Sequence, residues 1–501
     1  MKRFLAGFLI WGILSAALPA NLSWAGALKT QTSPEIYAAF SGANFYEYQF
    51  PDQTRIKVHF KEEILNQSGE TAGFAREVLD AAVSAYQTIT QFQGFSTPGY
   101  SFASPDKNYA YDADQTIDIY LGDPRHKTIK DSPCFDTIQV SPTQFEAVIF
   151  LPSNYREFIK NWERLNPSGL GKRNVGIDLR GTLIHEMLHA LLFYYNKNLK
   201  VGNPDPENSQ DADWYVEGLA RYFEIFAGAR HDFFSQGFKH TLEDKIRFSR
   251  GGCNYFLRYP DQTFTRLRYE NALFWRFIDT RYGMSAIERL SRDLRNTKKE
   301  HFSLVLEKVT GQPFEKILKQ FSAAILFKDF GLKEDTAYLK DVARTHLVYR
   351  NKNLYLQHGR GGQRKLGKAC HTDWIGHWDD QFGPWKGALV AGDDTPQSDV
   401  RGWATDFYQI DIDGSPQALP WLGVCHENGG EGLIVQIFVL SKGGSLISKA
   451  TGEISRFETR GISLKELLKK QGLSSGDAAQ IFLLVTNKDP EAISNYHILI
   501  S

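Results

Sequence analysis

The stretch Gly181-Thr182-Leu183-Ile184-His185-Glu186-Met187-Leu188-His189-Ala190-Leu191-Leu192-Phe193-Tyr194-Tyr195 decides how the chain reads. Its apolar residues fall at helical spacing around most of the circumference. It is therefore expected to be a core helix, with Asp178 or Thr182 available near its start. Three ionisable residues within such a helix need a reason, because burying charge is costly. Four residues apart, His185 and His189 share one face about a turn from each other, a separation that suits two nitrogen ligands on one zinc ion. Glu186 is expected to point into the same cleft, where its carboxylate can take a proton from metal-bound water. The plainer reading is a surface helix with paired His and Glu, and the apolar surroundings argue against it.

Two histidines leave a catalytic zinc site incomplete, since a third protein ligand and an open position are both needed. The third is expected from Trp214-Tyr215-Val216-Glu217-Gly218-Leu219-Ala220-Arg221-Tyr222, with Glu217 as the ligand. Val216, Leu219 and Ala220 supply packing, and the small Gly218 and Ala220 are expected to let this helix approach the first. His231 and Glu224 are reserve ligands. Asp211 and Asp213 can each accept a hydrogen bond from a ligand imidazole, or else form a polar approach to the helix with Asp213 near its cap.

These phrases resemble the gluzincin superfamily of zinc metallopeptidases, in which HExxH is completed by a glutamate on a later helix. Residues 214–222 match the WxxEGxAxY phrase of its aminopeptidase-type and bacterial-collagenase-type branches. The wide gap between His189 and Glu217 is similar to the collagenase branch. The resemblance covers residues 55–345 and implies a thermolysin-like α+β domain with a small N-terminal sheet and a helical second half. It implies His185, His189 and Glu217 as ligands of Zn2+ and Glu186 as general base. Tyr269, in Arg268-Tyr269-Glu270-Asn271-Ala272, resembles the catalytic tyrosine of the YExG-like segment of aminopeptidase-type relatives, although the Gly is absent. It is the leading oxyanion donor, with Arg268 and His231 behind it. No GxMEN-type exopeptidase phrase precedes the helix, so the expected activity is that of an endopeptidase on peptide or protein substrates.

Around this centre the pattern is organised. Strands are expected at residues 55–60, 116–121 and 147–151, with helices at 72–92 and 154–162, an α+β opening. Residues 122–146 look turn-rich. Further helices are expected at 213–227, from 241, and at 269–282, 285–296, 303–310 and 313–327, with Gly283 as a stop. Beyond residue 350 short strands at 386–390, 404–412, 432–440, 481–485 and 496–500 suggest an all-β accessory domain, residues 346–501. It is a candidate for a surface or glycan ligand. His371, His377, Asp379 and Asp380 form a second metal-type cluster, and Trp374, Trp378 and Trp385 a candidate platform, with aromatic packing near a disulfide as the simpler account.

The N-terminus carries Lys2 and Arg3, an apolar run over residues 4–20 and the small Ala25-Gly26-Ala27. Residues 1–27 are expected to be a signal peptide, followed by a leading arm or linker over 28–54. This predicts a secreted or periplasmic protein with no integral membrane span after signal removal. Four cysteines, Cys134, Cys253, Cys370 and Cys425, allow three pairings, and proximity favours 134 with 253 and 370 with 425. The 501 residues carry 58 basic and 58 acidic side chains, a balance that argues against a nucleic-acid partner. The class rival to a peptidase is a non-catalytic surface or ligand-binding protein stabilised by zinc.

Overall fold

The computed structural model describes residues 40–67, 69–92, 95, 110–111, 116–122, 133–141, 144–165, 175–195, 199, 209–227, 268–294, 299–327, 329–330, 378–379, 383–384, 398–411, 421–441, 445–456, 458–474, 477–490 and 492–500. The fold mixes helix and sheet, as expected of the α+β class. The expected signal segment, the helix from residue 241, the strand at 386–390, His231, Cys253 and Cys370 lie outside the described residues. Cys134 makes no disulfide, which overturns its expected pairing with Cys253, whereas Cys425 is disulfide-bonded. No described helix is long and apolar enough to cross a membrane.

The N-terminal sheet is built on β1 (Asn44–Gln49), β2 (Arg55–Phe60), β3 (Ala110–Tyr111), β4 (Thr116–Leu121), β5 (Cys134–Ser141) and β6 (Gln144–Leu151). Its order is β1-β2-β4-β6-β3, and β5 also pairs with β6. The pairs β2–β4, β4–β6 and β3–β6 are parallel, whereas β1 and β5 run antiparallel to β2 and β6. Alternation in Arg55–Phe60 turns Ile56, Val58 and Phe60 inward, and Ile117, Ile119, Ile149 and Leu151 continue that face. On the outer face His59 stacks on Tyr120 with centroids 4.5 Å apart and meets Asp118 Oδ1 at 2.6 Å. Phe40 and Phe150 extend this cluster.

Beside the two-residue β3, two longer strands of this sheet depart from expectation. Residues 28–54 were expected to be a linker, yet β1 pairs along the whole of β2. It is an edge strand with almost no buried residue, so no apolar alternation marks it. The turn-rich interval 122–146 contains β5, held by its backbone register from Cys134↔Phe150 to Ser141↔Gln144.

Helices cover the inner face. They are α1 (Glu62–Gln67), α2 (Ala72–Gln87), α3 (Tyr155–Leu165), α4 (Val175–Tyr195) and α5 (Ser209–Tyr222). α4 is the centre of the fold, and residues 183–194 are all buried. It packs against α2, β5, β6 and α5. A 3-10 turn at Tyr269–Asn271 leads into α6 (Ala272–Tyr282), followed by α7 (Met284–Asp293), α8 (Lys299–Thr310) and α9 (Phe314–Phe327). Gly283, at φ 83°, ends α6 where its N–H donates to the Asp279 carbonyl at 2.8 Å.

The C-terminal residues form β7 (Trp378–Asp379), β8 (Gly383–Pro384), β9 (Ser398–Val400), β10 (Thr405–Asp411), β11 (Trp421–Asn428), β12 (Gly432–Ser441), β13 (Leu446–Ser455), β14 (Thr459–Ser463), α10 (Leu464–Lys469), β15 (Ala478–Asn487) and β16 (Ser494–Ile500). The short helix α10 interrupts what was expected to be all strand. Two antiparallel sheets, β10-β15-β12-β13 and β14-β11-β16-β9, share one core. The turn at residues 487–490 does not close a hairpin, because β15 and β16 belong to different sheets.

The first of these sheets has no wet face over β12 and β15. Leu433, Val435, Ile437 and Val439 enter the core between the sheets, while Phe438, Leu440, Phe482 and Leu484 join the core of the helical half. Phe438 meets Phe327 of α9 at 5.1 Å, and Trp403 meets Phe314 at 4.5 Å. Ser322 of α9 bonds Thr405 at 2.7 Å and Thr486 at 3.2 Å.

Candidate metal centre

α4 and α5 bring His185, His189 and Glu217 to one point, all three buried. The Nε2 atoms of the two histidines are 3.1 Å apart. Glu217 Oε2 is 3.1 Å from that of His185 and 3.6 Å from that of His189. Four donors arranged tetrahedrally about 2.1 Å from a zinc ion stand roughly 3.4 Å from one another, so this triangle has the size of one tetrahedral face. Two imidazoles and a carboxylate, with no thiolate, form a donor set that fits a divalent ion such as zinc.

The local reason is helical spacing. His185 and His189 are one turn apart on α4, and their rings meet edge to face with centroids 4.8 Å apart. Glu217 and Arg221 lie one turn apart on α5, and Glu224 follows one turn later, just past its end. After Tyr222 that helix widens into a π-helical turn, Phe223–Ala227, a geometry frequent at functional sites. Glu224 lies in that turn.

The charges interlock. Burial works to lower the His185 pKa, but Glu217 and Glu224 outweigh it and raise it to about 9. Burial pushes Glu217 the other way, and its contacts with His185 and His189 hold it well below the usual carboxylate range. Metal uptake there displaces protons from the ligands.

Glu224 is not a reserve ligand. Its Oε2 stands 3.4 Å from Nδ1 of His185, the ring nitrogen turned away from the triangle. Arg221 Nη1 holds the same oxygen at 2.6 Å. This is the outer-partner place that the sequence offered to Asp211 or Asp213. Asp213 is instead buried against Arg268, Oδ2 to Nη2 at 2.7 Å, and that pair ties the Tyr269 turn to α5. Arg268 is thereby engaged. The signal for Glu224 was present, because it follows Glu217 by seven residues and so returns to the same face.

Tyr269 comes to the site as the sequence placed it. Its ring centre is 5.7 Å from that of His185 and 4.7 Å from the Arg221 guanidinium carbon. Burial, with the negative charges of Glu217 and Glu186, lifts its pKa well above 10, so the phenol stays a hydrogen-bond donor. Glu186 is buried on the same turn of α4 as His185, and its charge acts on both His185 and Tyr269.

Gly218 has a different part from the one expected. A Cβ there would stand 2.7 Å from Cβ of Asn271, 3.0 Å from the Arg268 carbonyl oxygen and 3.1 Å from Nε1 of Trp275. The missing side chain admits the Tyr269 turn rather than α4. His371, His377, Asp380, Trp374 and Trp385 lie outside the described residues, and of Trp378 and Asp379 only the backbone pairing with Gly383–Pro384 is described.

No family model and no curated protein matches the chain. Among solved structures it is similar to the enzymatically active domain of tailspike protein 4 of bacteriophage CBA120, 13% identical at a TM-score of 0.17 over 22% of this chain and 17% of that one. It is also similar to a family GH115 4-O-methyl-α-glucuronidase with specificity for decorated arabinogalactans, 6% identical at a TM-score of 0.12 over 69% of this chain and 41% of that one. The chain spans less than half the length of either. At those TM-scores neither likeness carries an argument.

Proposed function

We propose that the protein is a secreted or periplasmic zinc-dependent endopeptidase of gluzincin type, acting on peptide or protein substrates. The observation that carries this reading is the buried triangle of His185, His189 and Glu217 with Glu186 beside it. A zinc ion held there supplies Lewis acidity toward water and a peptide carbonyl. Glu186 takes a proton from the attacking water and hands it to the departing amine. Tyr269, held as the neutral phenol, donates its O–H to the carbonyl oxygen as negative charge develops. Glu224 orients the His185 ring from behind. The export part of the proposal rests on the basic, apolar and small-residue succession of residues 1–27.

The rival, a zinc-stabilised binding protein, has no use for a spare carboxylate beside its metal. Glu186→Gln separates the two. The variant is expected to hold zinc as the wild type does while peptide release falls to background. A zinc-loaded wild type that cuts nothing in an unbiased peptide mixture, followed by mass spectrometry, contradicts the peptidase.

A further inference from the structure

One cation at the centre has no part in the chemistry just described. Arg221 follows Glu217 by one turn of α5, and its Nη1 lies 2.6 Å from Glu224 Oε2. That oxygen is 3.4 Å from His185 Nδ1. The guanidinium carbon is 4.7 Å from the centre of the Tyr269 ring, which is 5.7 Å from that of His185. Ligand, carboxylate, guanidinium and phenol therefore close a ring of four side chains. Glu224 is buried, its side chain 5% exposed, while Arg221 and Tyr269 are half-buried at the edge of the ring.

We propose that Arg221 is a positioning residue that fixes the His185 imidazole through Glu224 and the Tyr269 phenol through its ring face. Metal affinity and transition-state stabilisation then share one support. The inference rests on the peptidase reading above. A guanidinium suits both tasks because its N–H edge pairs with a carboxylate while its flat face covers an aromatic ring. A lysine ammonium can replace the charge opposite Glu224 but has no face to offer Tyr269.

The test uses the full chain with Arg221→Met, Arg221→Lys, Tyr269→Phe and the Arg221→Lys/Tyr269→Phe pair. Zinc affinity is read by competition with a chromophoric chelator, and kcat and KM on a cleaved peptide. Arg221→Met is expected to lose about tenfold or more in zinc affinity, the usual effect of disturbing an outer partner. Arg221→Lys is expected to keep zinc but lose about tenfold in kcat with KM little changed. Adding Tyr269→Phe to it should cost much less than Tyr269→Phe costs alone, since contacting residues are coupled. Additive losses in kcat overturn the proposal, as does wild-type zinc affinity in Arg221→Met. If Arg221→Met does not fold, the lysine cycle decides. A wild type that takes up no zinc removes the peptidase reading and this inference together. A zinc-loaded, cleaving wild type matched by its Arg221 variants removes this inference alone.

Discussion

Glu217 is asked to be a ligand, and Tyr269 a donor, and the two roles predict different losses. Glu217→Gln is expected to weaken zinc binding by more than the about 10–100-fold that an outer partner costs, and to abolish cleavage with it. Tyr269→Phe should leave zinc content unchanged and lower kcat by about 100-fold or more, the usual effect of removing an oxyanion donor. Metal analysis beside steady-state kinetics checks both. Much of this centre was legible in the sequence, because two histidines four residues apart in an apolar helix have few other uses. What escaped was the second layer. Glu224 and Arg221 carry no motif, and an Asp near a helix start looks as good an outer partner as a Glu two turns beyond the ligand. Only the packing of α5 against the Tyr269 turn commits Asp213 to Arg268.

At the scale of elements, the joint between α5 and the 3-10 turn at Tyr269–Asn271 is the sensitive one. Gly218→Ala places a methyl 2.7 Å from the Asn271 Cβ and 3.0 Å from backbone at Arg268, so the turn must move. Overpacking of this kind costs about 1–3 kcal/mol. The variant is expected to lose that much stability in urea titration and to lose kcat beyond its loss of fold, because Tyr269 moves with the turn. Unchanged kcat would place Tyr269 outside the reaction. Helical spacing of apolar residues had marked α2 in the sequence, a nearly continuous apolar surface had marked α4, and alternation had marked β2 and β4. β1 was missed because an exposed edge strand is held by its neighbour's backbone, and β5 because pairing with β6 outweighs its turn-rich surroundings.

For the whole molecule, the C-terminal sandwich and the helical half are expected to unfold together. One sheet of the sandwich buries Phe438 and Phe482 in the same core as Phe314 and Phe321 of α9. Phe438→Ala should cost about 3–5 kcal/mol and shift one shared calorimetric transition, whereas an independent accessory domain would melt separately. A charge spans the same seam, with Lys488 Nζ 3.1 Å from Glu315 and 3.7 Å from Glu453. Burial lowers the Lys488 pKa, but these carboxylates more than offset it, and it stands above its ordinary 10.5. The folded value exceeds the unfolded one, so this contribution is complete below about pH 10.5 and is lost as pH rises through the folded pKa. Denaturant midpoints measured across that range should fall, and Lys488→Met should flatten the fall. The sequence marked β10, β12, β15 and β16 but not β11, β13 or β14, and it did not mark the second buried face of the first sheet. A run such as Leu433–Leu440, apolar at nearly every position, is the trace that both faces leave.

The zinc K-edge absorption spectrum of the purified full-length chain bears most directly on the two-helix metal centre. The expected result is one zinc per chain, with a first shell of nitrogen and oxygen at about 2.0–2.2 Å that includes two imidazoles. A shell containing sulfur at about 2.3 Å, or a spectrum unchanged when His185 and His189 are both replaced, would place the metal elsewhere and contradict it.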